Sequence, residues 1–370
     1  MKQTLTEKVK EAIYQEYVLK THTASEPIPT EQNLAKKYSV SLVTVRRAIE
    51  NLVNEKYLVK RQGKGTFLVQ KQNTEGAFSI GLVVPETSNS PFYTILSTLL
   101  EPLLRKDGHD VRFFVAQDAK KLKDIIDGGS FKLDGLILCG YILNHQVLRE
   151  AQIPYVVAGS EDRWDANCVS FDLRAGAIEI TNSLLKAGHE KILFLSNYEE
   201  KDLLASSIRG HFSLESSARY SGYISALHYA GLTPSPELIV HTGGTKRNAY
   251  MLMDSILKKN ELDFSAIFAS TDIIAEGVIQ AVWKNGYKIP DDFSIIGCDN
   301  LYSQNDHLVP FSTLDLKLNK VASRAIDLLY KLISDYDNDE YCCYSIIPKL
   351  INRGTVRKIK KQKKECFSEA

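Results

Sequence analysis

The chain has 370 residues, 44% of them hydrophobic and 25% charged, a composition that excludes a disordered or collagen-like polypeptide and leaves room for a sizeable core plus a small extra domain. Its net charge of +1 hides an asymmetry, because residues 1–72 carry 13 Lys and Arg against 7 Asp and Glu while the other 298 carry 33 against 38. The chain contains no apolar run of about 18 residues, so no membrane partner is expected. Six cysteines (139, 168, 298, 342, 343 and 366) show no C-x-x-C spacing, which points to buried thiols in a reducing compartment rather than to disulfides or a metal site. MKQTLTEKVKEAIYQ, at the start, has an amphipathic helix pattern instead of a charged segment followed by a hydrophobic core, so a cytoplasmic location is expected.

Residues 29–69 hold two short helical patterns that run into a basic hairpin pattern. Thr30 and Ser41 each offer a side-chain oxygen to cap a helix start, and Leu34, Ala35 and Tyr38 form one apolar face between them. In the second helix Val45, Ala48, Ile49 and Leu52 recur at helical spacing, which turns Ser41, Leu42, Thr44, Arg46, Arg47 and Asn51 outward. Residues 57–61 and 66–69 read as strands joined by Gln62-Gly63-Lys64-Gly65, whose glycines permit the positive φ of a tight turn. A helix with that outer face, beside a Gly-Lys-Gly tip, can enter a major groove while the tip approaches the phosphate backbone.

This order resembles the winged helix-turn-helix of the GntR family of bacterial regulators. The matching residues are Pro29-Thr30-Glu31-Gln32-Asn33-Leu34-Ala35, then Ser41-Leu42-Val43-Thr44-Val45-Arg46-Arg47-Ala48-Ile49, then Gly63-Lys64-Gly65-Thr66-Phe67. The resemblance implies double-stranded operator DNA as a partner, met by Glu31, Ser41, Thr44, Arg46, Arg47, Arg61, Gln62, Gly63 and Lys64. Leu42 stands where the family usually has arginine, so one DNA contact is missing or is taken over by Arg46, Arg47 or Lys64. Lys64 also has the plainer reading of a solubilising charge on a turn.

Residues 70–78, QKQNTEGAF, read as a linker, after which short apolar, β-branched runs alternate with helical patterns. The runs fall at 80–84, 111–115, 135–139, 155–158, 192–195, 238–241, 266–269 and 294–297. Such runs between amphipathic helices predict parallel sheets covered on both faces, hence an α/β domain, and its length suggests two similar lobes. The expected division is a head at 1–70, a linker at 71–78, and a domain at 79–356 followed by a disordered basic tail at 357–370. Its lobes are expected at 79–187 with 306–335, and at 188–305 with 336–356.

The second domain resembles the effector-binding core of the lactose-repressor family, itself similar to periplasmic sugar-binding proteins, over essentially all of residues 79–356. Ordered landmarks carry the likeness: Ile80-Gly81-Leu82-Val83-Val84-Pro85, Ser88-Asn89-Ser90-Pro91-Phe92-Tyr93, Val169-Ser170-Phe171-Asp172, Arg219-Tyr220-Ser221-Gly222-Tyr223, Ser270-Thr271-Asp272 and Gly297-Cys298-Asp299-Asn300. The resemblance implies a periplasmic-binding-protein-like fold and a small effector, expected to be a sugar. Phe92 and Tyr93 would line one side, Asp172 the crossover, and Arg219 and Asp299 the opposite lobe, with Asn89, Asp118 and Thr271 as further candidates. Charged partners for hydroxyls and an aromatic surface for C–H faces suit a sugar. Plainer readings stay open, since Asp172 and Asp299 could cap helices, Arg219 could serve a structural salt bridge, and Phe92 and Tyr93 could be core. The family's short hinge helix after the head is absent.

The expected whole is a cytoplasmic, homodimeric repressor of arabinose-type arrangement, with no enzyme activity, metal or cofactor. The alternatives are a GntR-related enzyme with an aminotransferase-like domain and a sugar-binding transport protein. Neither a Schiff-base lysine context nor a G-x-x-x-x-G-K-[ST], H-E-x-x-H or G-x-S-x-G motif is identified. Arg219→Ala is expected to abolish effector binding while leaving folding intact.

Overall fold

A computed structural model of the chain describes residues 5–18, 27–54, 57–61, 64–68, 77–85, 91–116, 118–127, 132–140, 147–148, 153–161, 166–197, 214–259, 261, 263–301, 310–334 and 341–359. It separates into two units, Met1–Ala77 and Phe78–Ala370.

In the first unit, α1 (Leu5–Ile13) runs into a π-helical turn at Tyr14–Val18, and α2 (Glu31–Tyr38) and α3 (Leu42–Asn54) follow. Thr30 Oγ1 accepts from Asn33 N at 3.3 Å and Ser41 Oγ from Thr44 N at 3.2 Å, so both predicted caps form. Between the helices Ser39 turns the chain in the left-handed region, at φ 53°. Val9, Ile13, Leu34, Val45, Ala48, Ile49 and Leu52 close one core, which Leu58 extends into the wing. The wing pairs β1 (Leu58–Arg61) antiparallel with β2 (Gly65–Leu68), and Gly65 takes φ +116° where the hairpin turns. Ile28 N donates to Thr66 O at 2.8 Å, tying the segment before α2 to the wing.

Two six-stranded sheets make the second unit among the described residues. One has the order β13-β7-β6-β5-β3-β4 and is parallel throughout. Its strands are β3 (Ser79–Pro85), β4 (Asp110–Ala116), β5 (Gly135–Cys139), β6 (Tyr155–Glu161), β7 (Cys168–Phe171) and β13 (Cys343–Ile346). The other has the order β14-β12-β11-β10-β8-β9, with β14 alone antiparallel. It comprises β8 (Ile192–Ser196), β9 (Ile239–His241), β10 (Ala266–Ala269), β11 (Ser294–Asp299), β12 (Ser312–Asp315) and β14 (Lys349–Ile351). Central β5, β8, β10 and β11 are buried at every residue, whereas edge strand β4 alternates, because only strands covered on both faces need to be apolar throughout.

The helices are α4 (Pro91–Lys106), α5 (Ala119–Asp127), α6 (Leu173–Lys186), α7 (Leu214–Tyr229), α8 (Lys246–Lys259), α9 (Asp272–Lys284) and α10 (Leu318–Ser334). Their packing corrects the expected lobe boundaries. Helix α6 lies against α7, β10 and β14, so the first crossing between lobes comes at Asp172 and not near 187. Strand β12 belongs to the second sheet, α10 packs on α4, β5 and β6 of the first, β13 joins the first and β14 returns to the second. Three crossovers result, and they are tied together by Asp172 N donating to Ile346 O at 3.2 Å and Lys317 Nζ to Ile347 O at 2.8 Å.

Two further expectations need revision. Arg357 to Ile359 pack on the second lobe, where Arg357 N donates to Ser294 Oγ at 3.0 Å and Ile359 N to Ala187 O at 2.8 Å, so the expected tail starts too early. Residues 360–370, including Cys366, lie outside the described residues, as does most of the expected linker. Phe78, its last residue, belongs to the second unit: its ring stacks on His109 with centroids 5.1 Å apart. Of the other thiols, Cys139, Cys168 and Cys298 are buried, whereas Cys342 and Cys343 are half-buried.

Candidate nucleic-acid interface and effector site

Helix α3 buries Val45, Ala48, Ile49 and Leu52 and leaves Ser41, Leu42, Arg46, Arg47 and Asn51 exposed, with Thr44 half-buried. That is the division its 3.6-residue period demands. Glu31, in the first turn of α2, accepts from Arg46 Nε at 3.0 Å and from Lys60 Nζ at 2.9 Å. Partial burial pushes the Glu31 carboxyl up, but the hydrogen bonds from Lys60 and Arg46 outweigh it and hold the group below the usual carboxylate range. Glu31 therefore joins the second helix of the motif to the wing, aligning two cations on one side. Arg61 lies over the Phe67 ring, 4.8 Å from its centroid, and Lys64 is exposed at the turn. Gln62 and Gly63 lie outside the described residues.

In the second unit, strand order carries the candidates to the carboxyl ends of both sheets, where ligands sit in open α/β folds. Arg219 on α7 and Asp299 at the end of β11 meet directly, Nη2 to Oδ1 at 3.0 Å, with 5% and 7% of their surfaces exposed. A second Arg219 nitrogen, Nε, is 3.4 Å from Cys298 Sγ. Behind Asp299 lies fully buried Asp272, which accepts from Thr313 Oγ1 at 2.5 Å and from Asn300 N at 2.8 Å. Burial first, and then the Asp299 charge, hold the Asp272 carboxyl well above the usual range. Arg353 completes the group by donating to Asn300 Oδ1 at 2.7 Å.

On the first lobe, Phe92 and Tyr93 meet edge-on at the start of α4, with centroids 5.3 Å apart, and Phe92 also meets Phe171 at 6.0 Å. Their rings lie on the backbone at Gly140 and Gly159, where a Cβ would collide with Tyr93 and Phe92 respectively. Three other candidates serve helix caps: Asp172 Oδ1 accepts from Ala175 N at 2.8 Å, Asp118 Oδ1 from Lys121 N at 2.7 Å, and Thr271 Oγ1 from Ile274 N at 3.4 Å. Asp118 is exposed beyond edge strand β4. Asn89 lies outside the described residues. Sequence reasoning missed Asp272, Asn300, Thr313 and Arg353 as members of the group. Asp272 was visible in the Ser270-Thr271-Asp272 landmark, but Arg353 carried no signal.

Residues 5–68 match the bacterial regulatory proteins of the gntR family, and residues 181–356 match the periplasmic binding protein-like domain. The chain is a two-domain, DNA-binding transcriptional regulator. Over 286 residues it is 27% identical to the HTH-type transcriptional repressor PurR of Histophilus somni (strain 129Pt), covering 75% of this chain and 81% of that protein. Its fold is similar to a LacI family transcriptional regulator from Enterococcus faecium with bound ribose, at a TM-score of 0.64 and 22% identity over 76% of this chain and 100% of that one. A transcriptional regulator CelR–cellobiose complex matches with a TM-score of 0.62 and 18% identity, over 89% of this chain and 100% of that one. The regulator thus joins a GntR-type head to the effector-domain fold of LacI-type proteins.

Proposed function

We propose that this regulator is a cytoplasmic repressor that grips a two-fold operator as a homodimer and releases it when a sugar or sugar-derived effector occupies the cleft between the two sheets. The observation that carries the reading is the Arg219–Asp299 pair, held with Asp272 at the carboxyl end of one sheet, in a chain that also carries an outward-facing Arg46 and Arg47. A fixed guanidinium and carboxylate suit hydroxyls that both donate and accept. Ribose and cellobiose in the two structural relatives support a sugar. In the head, Arg46, Arg47, Ser41 and Thr44 would meet base edges or phosphates, with Glu31 positioning Arg46 and Lys60, and Arg61, Gln62, Gly63 and Lys64 serving the wing. Phe92 and Tyr93 would supply the aromatic wall, with Asn89, Asp118, Asp172 and Thr271 as further candidates.

Homodimerisation is supported by edge strand β4, which exposes Phe113 and Val115, together with exposed Leu103 on the adjoining α4. An edge strand with large apolar side chains is a surface that a second copy can cover. Every relative reported above is a regulator, so no enzyme activity is proposed.

Thermal-shift screening of sugars, sugar phosphates and nucleosides tests the effector class, because a ligand at 100 times its Kd stabilises the fold by about 2.7 kcal/mol. A stabilising sugar that also weakens operator binding in a DNA shift assay is the expected result. Stabilisation by nucleosides alone would replace the sugar reading.

A further inference from the structure

Cys168 in β7 and Cys343 in β13 stand opposite each other in a parallel ladder, with Sγ atoms 2.7 Å apart. Neighbouring strands lie about 4.8 Å apart, inside the Cα separation of about 4.4–6.8 Å that a disulfide spans. With an S–S bond of about 2.04 Å, less than an ångström of sulfur movement closes it. Cys168 is fully buried, whereas Cys343 is partly exposed and can meet a solute oxidant. Ser170 Oγ lies 3.7 Å from Cys343 Sγ, a hydroxyl able to steady a thiolate there.

We propose that Cys168 and Cys343 form an oxidative modification site, at which a peroxide converts the two thiols into a reversible disulfide between β7 and β13. In the first step the Cys343 thiolate attacks the peroxide O–O bond, which breaks to give a sulfenic acid and hydroxide, and the hydroxide takes up the proton the thiol lost on ionising to leave as water. The Cys168 thiol then attacks the Cys343 sulfur, the S–S bond forms, the S–O bond breaks, and the departing hydroxide takes the Cys168 proton and leaves as a second water. The thiols lose two electrons and the peroxide is reduced to two waters; a small-molecule thiol reverses the change.

The other described thiols lack this arrangement. Cys139 faces Ala158 across its ladder and Cys298 faces Leu314, so neither stands opposite a second thiol as Cys168 does. Cys342 precedes Cys343 at the start of the strand, and successive side chains of a strand point to opposite faces, so it is directed away from Cys168. The location gives the bond a consequence. Three residues past Cys343 lies Ile346, whose carbonyl receives the Asp172 amide, and Asp172 is where β7 leaves the first lobe. Joining β7 to β13 couples two of the three crossovers and stiffens the passage between lobes.

The test is to treat the full chain with hydrogen peroxide, alkylate the remaining thiols and map peptides without reductant. A linked peptide holding Cys168 and Cys343, released by dithiothreitol, is expected, together with several-fold slower amide exchange at 171–173 and 346–349 in the oxidised protein. Cys343→Ser and Cys168→Ala should each lose both effects, so the result does not hinge on one variant folding. A sulfinic acid at Cys343 with Cys168 still alkylatable, or a link from Cys168 to Cys342, overturns the site. Unchanged exchange in the linked protein overturns the stiffening.

Discussion

Asp272 shows how one buried carboxyl organises its surroundings, since it receives the Asn300 amide on one oxygen and faces Thr313 Oγ1 with the other while lying near the Asp299 charge. Asn at this position keeps an acceptor for Asn300 N, offers a donor to Thr313 Oγ1 and removes a carboxyl held in its costly environment. Asp272→Asn should therefore leave thermal stability near wild type, whereas Asp272→Ala, which strands both partners, should cost about 1–3 kcal/mol in denaturant unfolding. Equal losses in the two variants would refute this account. The pair Arg219–Asp299 demands a revision of the sequence expectation. Truncating one member of an ion pair this deeply buried costs about 3–5 kcal/mol, so Arg219→Ala should destabilise the fold as well as weaken the effector. Arg219→Met with Asp299→Asn removes both charges, keeps a residue that tolerates the φ of 123° at position 299, and is expected to retain folding while losing the stabilisation by whichever sugar shifts wild type. Calorimetry showing wild-type sugar affinity in that double variant would remove the pair from the site. In the head, Arg46→Ala should cost about 1–3 kcal/mol of operator affinity and relax one base position if Arg46 reads a base. Uniform weakening with a flatter salt slope would mark a phosphate contact instead.

Among the elements, the pairing of α6 with α7 depends on Gly222. A Cβ there would come within 2.5 Å of Arg174 O and 2.7 Å of Ala177 Cβ, so the two helix backbones approach as closely as glycine permits. Alanine is the better helix former by about 1 kcal/mol, but separating the helices costs about 1–3 kcal/mol in overpacking. Gly222→Ala is therefore expected to lower Tm, and a raised Tm would show that the helices part freely. The wing follows a similar logic on a smaller scale: Gly65 at φ +116° sits 3.1 Å from Pro27 when given a Cβ, so both its conformation and its space require glycine.

For the whole molecule, His189 ties the second lobe to the end of the described chain. Its Nε2 donates to Arg357 O at 3.0 Å, so in the neutral ring Nδ1 accepts from Ser265 Oγ at 2.8 Å. Burial lowers its pKa and outweighs the hydrogen bond to Arg357 O, which raises it, while the nearby Arg357 charge lowers it a little more. A base with a depressed folded pKa takes up a proton on unfolding, so stability should be lost as pH falls below about 6.5 toward the folded value. Tm measured from pH 8 to pH 5 should fall more steeply for wild type than for His189→Gln; parallel curves would disprove the linkage. Control of DNA binding belongs to this scale too. Because each unit has its own core, the proposed effector should act by changing the placement of two heads and not their fold. The isolated head, residues 1–77, should bind a half-site weakly and ignore the sugar to which the full-length dimer on a full operator responds. Full sugar sensitivity of the isolated head would sink this mechanism.

What the sequence determined by itself is what local physics decides. Thr30 and Ser41 mark their helix starts because a cap needs only an oxygen three residues ahead of a free amide, and the face of α3 follows from the period of Val45, Ala48, Ile49 and Leu52. The central strands β5, β8, β10 and β11 were legible because burial on both faces forces continuous apolar runs. The tertiary structure alone decided the rest. Strands β7, β12, β13 and β14 are only three or four residues long, and β12, β13 and β14 carry polar or exposed residues, so the sheet that accepts each is chosen by pairing with distant partners. For the same reason the lobe boundary moved to Asp172, and Arg353 reached Asn300 across 53 residues of chain. Whether Arg219 is an open hand or half of a buried pair also lay beyond the sequence, since only the approach of α7 to the end of β11 removes water from both charges.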